Sequence, residues 1–84
     1  MTPTGADSLT NRLERVFEGL VSDRRVPVRQ LTRVNSAAWD SLFHLTLVLA
    51  IEQEFGVTLT DIDVLELSSF SSALQILEEK QAAR

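Results

Sequence analysis

The chain has 84 residues, 44% of them hydrophobic, and reads as one small domain, 1–84, in which a single core must serve the whole fold. With no cysteine and one histidine it holds neither a disulfide framework nor a Cys/His zinc site, and twelve acidic against eight basic side chains give a net charge of −4, the wrong sign for gripping nucleic acid by its phosphates. The longest near-apolar run, Leu42 to Ile51, is broken by His44 and Thr46 and falls far short of the ~20 residues that span a bilayer. The polar start, Met1 to Ser8, lacks the basic flank of a signal peptide, so a soluble, cytoplasmic monomer with no nucleic-acid or membrane partner is expected.

Leu9, Leu13, Val16, Phe17 and Leu20 recur at three- and four-residue intervals with Arg12, Arg15 and Glu18 between them, which predicts an amphipathic helix over about 8–21, capped by Asp7 or Ser8. Pro27 removes a donor and disfavours helix at Val26, so a long connection follows without a regular element, docked by Val26, Val28, Leu31 and Val34. A second helix is expected from Ser41 to Phe55, with Asp40 as its N-cap and Gly56 as its left-handed C-terminal cap. Its inward stripe is taken as Leu42, Leu45, Val48 or Leu49, Ile51 or Glu52, and Phe55. Thr60 and Asp63 form a capping box for a short third helix over 61–66. Ser68 or Ser69 begins a fourth, with Phe70, Ala73, Leu74 and Leu77 inward and Ile76 at the margin. Nothing reads as a strand, so the fold class is all-α: a four-helix bundle of three longer helices and one short helix three, ordered over about 8–80.

Charge divides unevenly along the chain: residues 1–40 are slightly basic, whereas residues 41–84 carry Lys80 and Arg84 against seven acids. Asp61, Asp63, Glu66, Glu52 and Glu54 are expected to repel one another, with only a distant Lys80 to offset them.

Asp40, Ser41 and His44 lie close enough in sequence to suggest a nucleophilic triad, but all three fall on one helix start and Asp40 is occupied as a cap. No enzymatic role is expected, and His44 reads as an ordinary surface or half-buried histidine. The stretch Trp39-Asp40-Ser41-Leu42 through Ile51-Glu52-Gln53-Glu54-Phe55-Gly56-Val57, followed by Thr60, Asp61 and a last helix near Ser69, resembles the acyl carrier proteins. The resemblance covers about residues 8–80. It extends to helix order, the long first loop and the separation of the Asp-Ser-Leu and Phe-Gly motifs.

The resemblance implies that Ser41 is the attachment serine for 4'-phosphopantetheine, transferred from coenzyme A by a phosphopantetheinyl transferase, with Asp40 serving as N-cap and assisting Mg2+ during transfer. At the first helical position free N–H groups and the helix dipole favour a phosphodiester by ~0.3–1 kcal/mol. A chain without cysteine cannot form a thioester on its own side chains, so any thioester it carries hangs from an added thiol. The implied role is a free-standing carrier of acyl or related carboxylic intermediates, served by acyl-transferring or acyl-modifying enzymes; Leu45, Val48, Leu49, Phe55, Ile62, Leu65, Ala73 and Leu77 are read mainly as core. Ala50 and Ala73 mark where interhelical space for an acyl chain would open.

Fatty-acid carriers tend to have a glycine and a small residue before Asp-Ser-Leu and acids just after it, whereas Ala38 and Trp39 precede it here and Phe43, His44 and Thr46 follow. Specialised lipid, polyketide or secondary-metabolite enzymes are therefore expected, docking on Trp39, Leu42, Phe43 and Leu47 around Ser41 with Glu52 as an acidic contact. Trp39 alternatively tucks into the first loop beside Val34. An aminoacyl or peptidyl carrier, or an unmodified helical interaction module, is the alternative function.

Overall fold

The computed structural model describes residues 5–21, 25–37 and 39–82, with the side chains of 5–8 and 82 outside the description; Ala38 and Arg84, named above, also lie outside it. Four α-helices form the bundle: α1 (Gly5–Leu20), α2 (Ser41–Phe55), α3 (Asp61–Glu66) and α4 (Phe70–Ala82). No strand occurs among the described residues. α1 begins a turn earlier than its periodicity predicts, which puts Asp7 and Ser8 inside the helix and removes both as its cap.

The α2 and α3 boundaries follow from their end chemistry. The Asp40 carboxylate accepts from the Phe43 N–H at 2.9 Å, and Gly56 closes α2 at φ 64°, ψ 34°, donating to the Glu52 carbonyl at 3.0 Å. That left-handed backbone is strained for any residue with a Cβ. At α3, Thr60 Oγ1 accepts from the Asp63 N–H while the Asp63 carboxylate accepts from the Thr60 N–H, the reciprocal capping box that the sequence suggests. Ser69 and Ser72 repeat the device at α4: each side-chain oxygen accepts from the other residue's N–H.

The long connection is not wholly irregular. Pro27 leads into a 3₁₀ turn, Val28–Gln30, whose Val28 is buried together with Leu31. The turn packs against α1 and α4, and the chain just beyond it is tied to the start of α4 by Phe70 N–H to Leu31 C=O (3.0 Å) and Arg33 N–H to Ser68 C=O (2.9 Å). Val34, expected to dock, instead lies 97% exposed.

Phe17 centres the core. Its ring meets Trp39 edge-on at 5.8 Å and Phe70 edge-on at 5.1 Å, linking α1, the connection and α4. Leu13, Leu47, Ile51, Leu67 and Leu77 are fully buried around it. Ile76, placed at the margin by periodicity, is buried as well. Leu45, Leu49, Ile62 and Leu65, read as core, are 60–78% exposed. α2 is apolar on nearly every side from Leu42 to Ile51, so spacing alone could not select its inward face; the buried set is Leu47, Val48, Ile51 and Phe55.

Two ion pairs revise the expected acidic crowding. Lys80 Nζ lies 2.7 Å from Asp63 Oδ2, and Arg12 reaches across from α1 to Glu54, donating to its carboxylate at 3.2 Å and to its backbone carbonyl at 2.6 Å. The Arg12 guanidinium also sits 4.7 Å from the centroid of Phe55. Lys80 is distant in sequence but one contact away in space, because α4 runs back past the start of α3.

Candidate functional site around Ser41

Ser41 is the first residue of α2 and is exposed, as is Asp40 before it. The first intrahelical bond runs from His44 N–H to Asp40 C=O at 2.9 Å, so the Ser41 and Leu42 amides have no acceptor within the helix. Among the described residues no protein group accepts from either. The Asp40 side chain uses Oδ1 on Phe43 N–H, and its second oxygen has no hydrogen-bond donor among the described residues.

The proposed docking residues separate into two groups. Leu42 is 74% exposed beside Ser41, while Phe43 is half-buried with its ring 5.3 Å from that of Trp39. Trp39 is 5% exposed and Leu47 wholly buried, so neither can present itself to a partner in this conformation. Trp39 does turn inward, but towards Phe17 rather than the exposed Val34. Glu52 is half-buried and spends a carboxylate oxygen on the Leu59 N–H at 2.9 Å, fastening the link between α2 and α3 rather than standing free as an acidic contact.

The apolar surface near Ser41 is a different set from the one expected. Leu42, Leu45 and Leu49 form an exposed stripe along α2, and Ile62 and Leu65 are exposed on α3. Several large aliphatic side chains left in water together mark an interaction surface more often than a chance exposure. Ala50 lines an open groove of about 340 Å³ between α1 and α2 with Arg15, Val16, Gly19 and Glu54 among its walls, whereas Ala73 is packed into the core at 1% exposure.

His44 has a role that its place in the sequence does not signal. Trp39 Nε1–H donates to His44 Nδ1 at 3.0 Å, and His44 Nε2 lies 2.9 Å from the Val64 carbonyl on α3. An indole nitrogen only donates and a carbonyl only accepts, so these partners require the neutral Nε2–H tautomer. With both ring nitrogens engaged, and the Asp40 carboxylate on Phe43, residues 40, 41 and 44 do not form an acid–base–nucleophile relay. The Trp39–His44 spacing of five residues across a helix start has no distinctive sequence pattern.

Among the described residues, Asp63 is the titratable side chain whose environment moves it most clearly. The Lys80 ammonium, then the Thr60 N–H, hold its carboxyl below the ordinary carboxylate range against a small opposing effect of burial. Among the described residues no group of three or more His, Asp or Glu side chains is arranged to hold a metal ion, and no helix is long and apolar enough to cross a membrane. No family model matches the chain, and no curated protein matches it.

Proposed function

We propose that this chain is an acyl carrier protein, holding acyl or related carboxylic intermediates as thioesters on a 4'-phosphopantetheine arm attached to Ser41. The observation that carries the reading is an exposed serine hydroxyl at the first position of a well-capped helix, with two backbone N–H groups beside it free to face a phosphodiester. The bound arm would supply a terminal thiol, which this cysteine-free chain lacks.

The chain's own residues would divide the work. Ser41 Oγ would attack the phosphorus joined to pantetheine in coenzyme A, its proton passing to the transferase or solvent as the bond to the departing nucleotide phosphate breaks. Asp40 holds the helix start with one carboxylate oxygen and keeps the other available to the transferase's Mg2+. Enzymes that load or modify the acyl group would dock on Leu42, Leu45 and Leu49 of α2 with Ile62 and Leu65 of α3, in place of the buried Trp39 and Leu47. Without acids on the turn after Ser41, such an interface relies on apolar contact more than on charge steering, which suits specialised lipid, polyketide or secondary-metabolite enzymes in the cytoplasm.

Incubation with coenzyme A, Mg2+ and a broad-specificity phosphopantetheinyl transferase, followed by intact mass measurement, tests the proposal. One added phosphopantetheinyl group is expected. A mass that stays at the unmodified value would favour an unmodified interaction module, a reading to which the exposed apolar stripe lends independent support.

A further inference from the structure

We propose that His44 is a positioning residue that works as a proton-operated latch on Trp39, holding the segment that enters α2 only while its imidazole is neutral. The basis is the pair of contacts on the ring: Trp39 Nε1–H on Nδ1 and the Val64 carbonyl at Nε2. A proton arriving from solvent can add only at Nδ1. It takes the lone pair that accepts from the indole and leaves two N–H donors facing each other across 3.0 Å. The bond from Nε2–H to Val64 survives and becomes charge-assisted, so the imidazolium stays with α3 and the indole is the partner released. Trp39 is 5% exposed and wedged against Phe17 and Phe43, so its N–H has no ready alternative in water. Its displacement would be felt at Asp40 and Ser41, the next two residues.

The ionisable side chains on the elements around the ring are Asp40, Glu52 and Glu54 on its own helix and cap, Arg25, Arg29 and Arg33 on the connection that carries Trp39, and Asp61, Asp63 and Glu66 on α3. Asp40 is bonded to Phe43, Arg29 to Glu14, and Asp63 to Lys80 and Thr60. Among the described residues none of these charges is hydrogen-bonded to the imidazole, so Trp39 is the group whose contact depends directly on the proton. The latch rests on geometry alone and does not require that Ser41 be modified.

One tryptophan and one histidine make the test direct in the unmodified protein. Two-dimensional NMR gives a single indole N–H resonance, and the imidazole Cε1–H reports protonation. As the pH is lowered from neutrality, the indole resonance should move with the same midpoint as the imidazole signal. After correction for intrinsic exchange, its exchange with water should quicken about three- to tenfold, the change expected when one neutral hydrogen bond is lost. His44→Asn, whose Oδ1 can accept from the indole without titrating, should give a flat profile with helical circular dichroism unchanged. An indole resonance that stays fixed while the imidazole titrates would overturn the latch, as would an equal shift in His44→Asn. If that variant does not fold, the presence or absence of co-titration in the wild type decides alone. Failure here leaves the Ser41 proposal standing, and failure of Ser41 modification leaves the latch standing.

Discussion

Replacing Trp39 separates a core residue from a docking residue. In Trp39→Phe the phenyl ring keeps the contact with Phe17, but the indole N–H is lost and His44 Nδ1 loses its donor. One neutral hydrogen bond is worth about 1 kcal/mol, and the unfilled space left by the smaller ring adds a cavity cost, for a total of roughly 1–3 kcal/mol. Trp39→Ala empties the whole site beside Phe17 and should cost ~3–5 kcal/mol. A domain of this length has a total stability of only about 4–13 kcal/mol. Each kcal/mol moves the melting temperature of so small a domain by about 4–8 °C. Thermal unfolding followed by circular dichroism at neutral pH should therefore show a drop of at least about 4 °C for Trp39→Phe and a much larger loss for Trp39→Ala. Both variants melting within about 2 °C of the wild type, less than 1 kcal/mol would produce, would refute the burial argument and return Trp39 to the surface.

Three further outcomes follow from particular contacts. Leu49→Ser on the exposed stripe should change stability by no more than about 0.5 kcal/mol, whereas Leu47→Ala, two residues away and fully buried, should cost ~2–5 kcal/mol by chemical denaturation; equal effects would mean that the inward face of α2 is wrongly assigned. Gly56→Ala should destabilise by ~1–2 kcal/mol for backbone reasons alone, since nothing lies within 4 Å of the added Cβ, and a neutral result would contradict the left-handed cap. Asp63 has its carboxyl lowered in the folded state, so its contribution is fully present above the unfolded carboxylate value near ~3.9 and is lost as pH falls through the lower folded value. The gap in melting temperature between wild type and Asp63→Asn should hold from neutrality to about pH 4 and close below it; a gap unchanged at about pH 2 would contradict the Lys80 pairing.

What could be read from residue order was the chemistry of helix ends. Asp40, Gly56, Thr60 and Asp63 each act on the backbone within a few positions of themselves, and α2 begins and ends, and α3 begins, where those residues place them. The inward face of α2 could not be read in the same way, because leucines lie on both its sides and the choice depends on what α1 and Trp39 bring against it. Lys80 with Asp63 and Arg12 with Glu54 are contacts between residues far apart in sequence, so counting charges along the chain overstated the repulsion. At the candidate site, the place of Ser41 at the first helical position and the role of Asp40 as cap were legible. The inward turn of Trp39 was one of two readings, but its packing on Phe17 and its bond to His44 were not legible, since they arise from the way the connection folds back over α1.

Proteolytic mapping of the transferase-treated protein by mass spectrometry shows whether Ser41 accepts a phosphopantetheine arm. Ser8 is the internal control, because it also follows an aspartate but lies within α1 rather than at a helix start. The expected result is one modified peptide, with the group on Ser41, and a Ser41→Ala protein that remains helical at its unmodified mass. A group mapped to Ser8 or any other serine, or a Ser41→Ala protein that still gains it, would contradict the account.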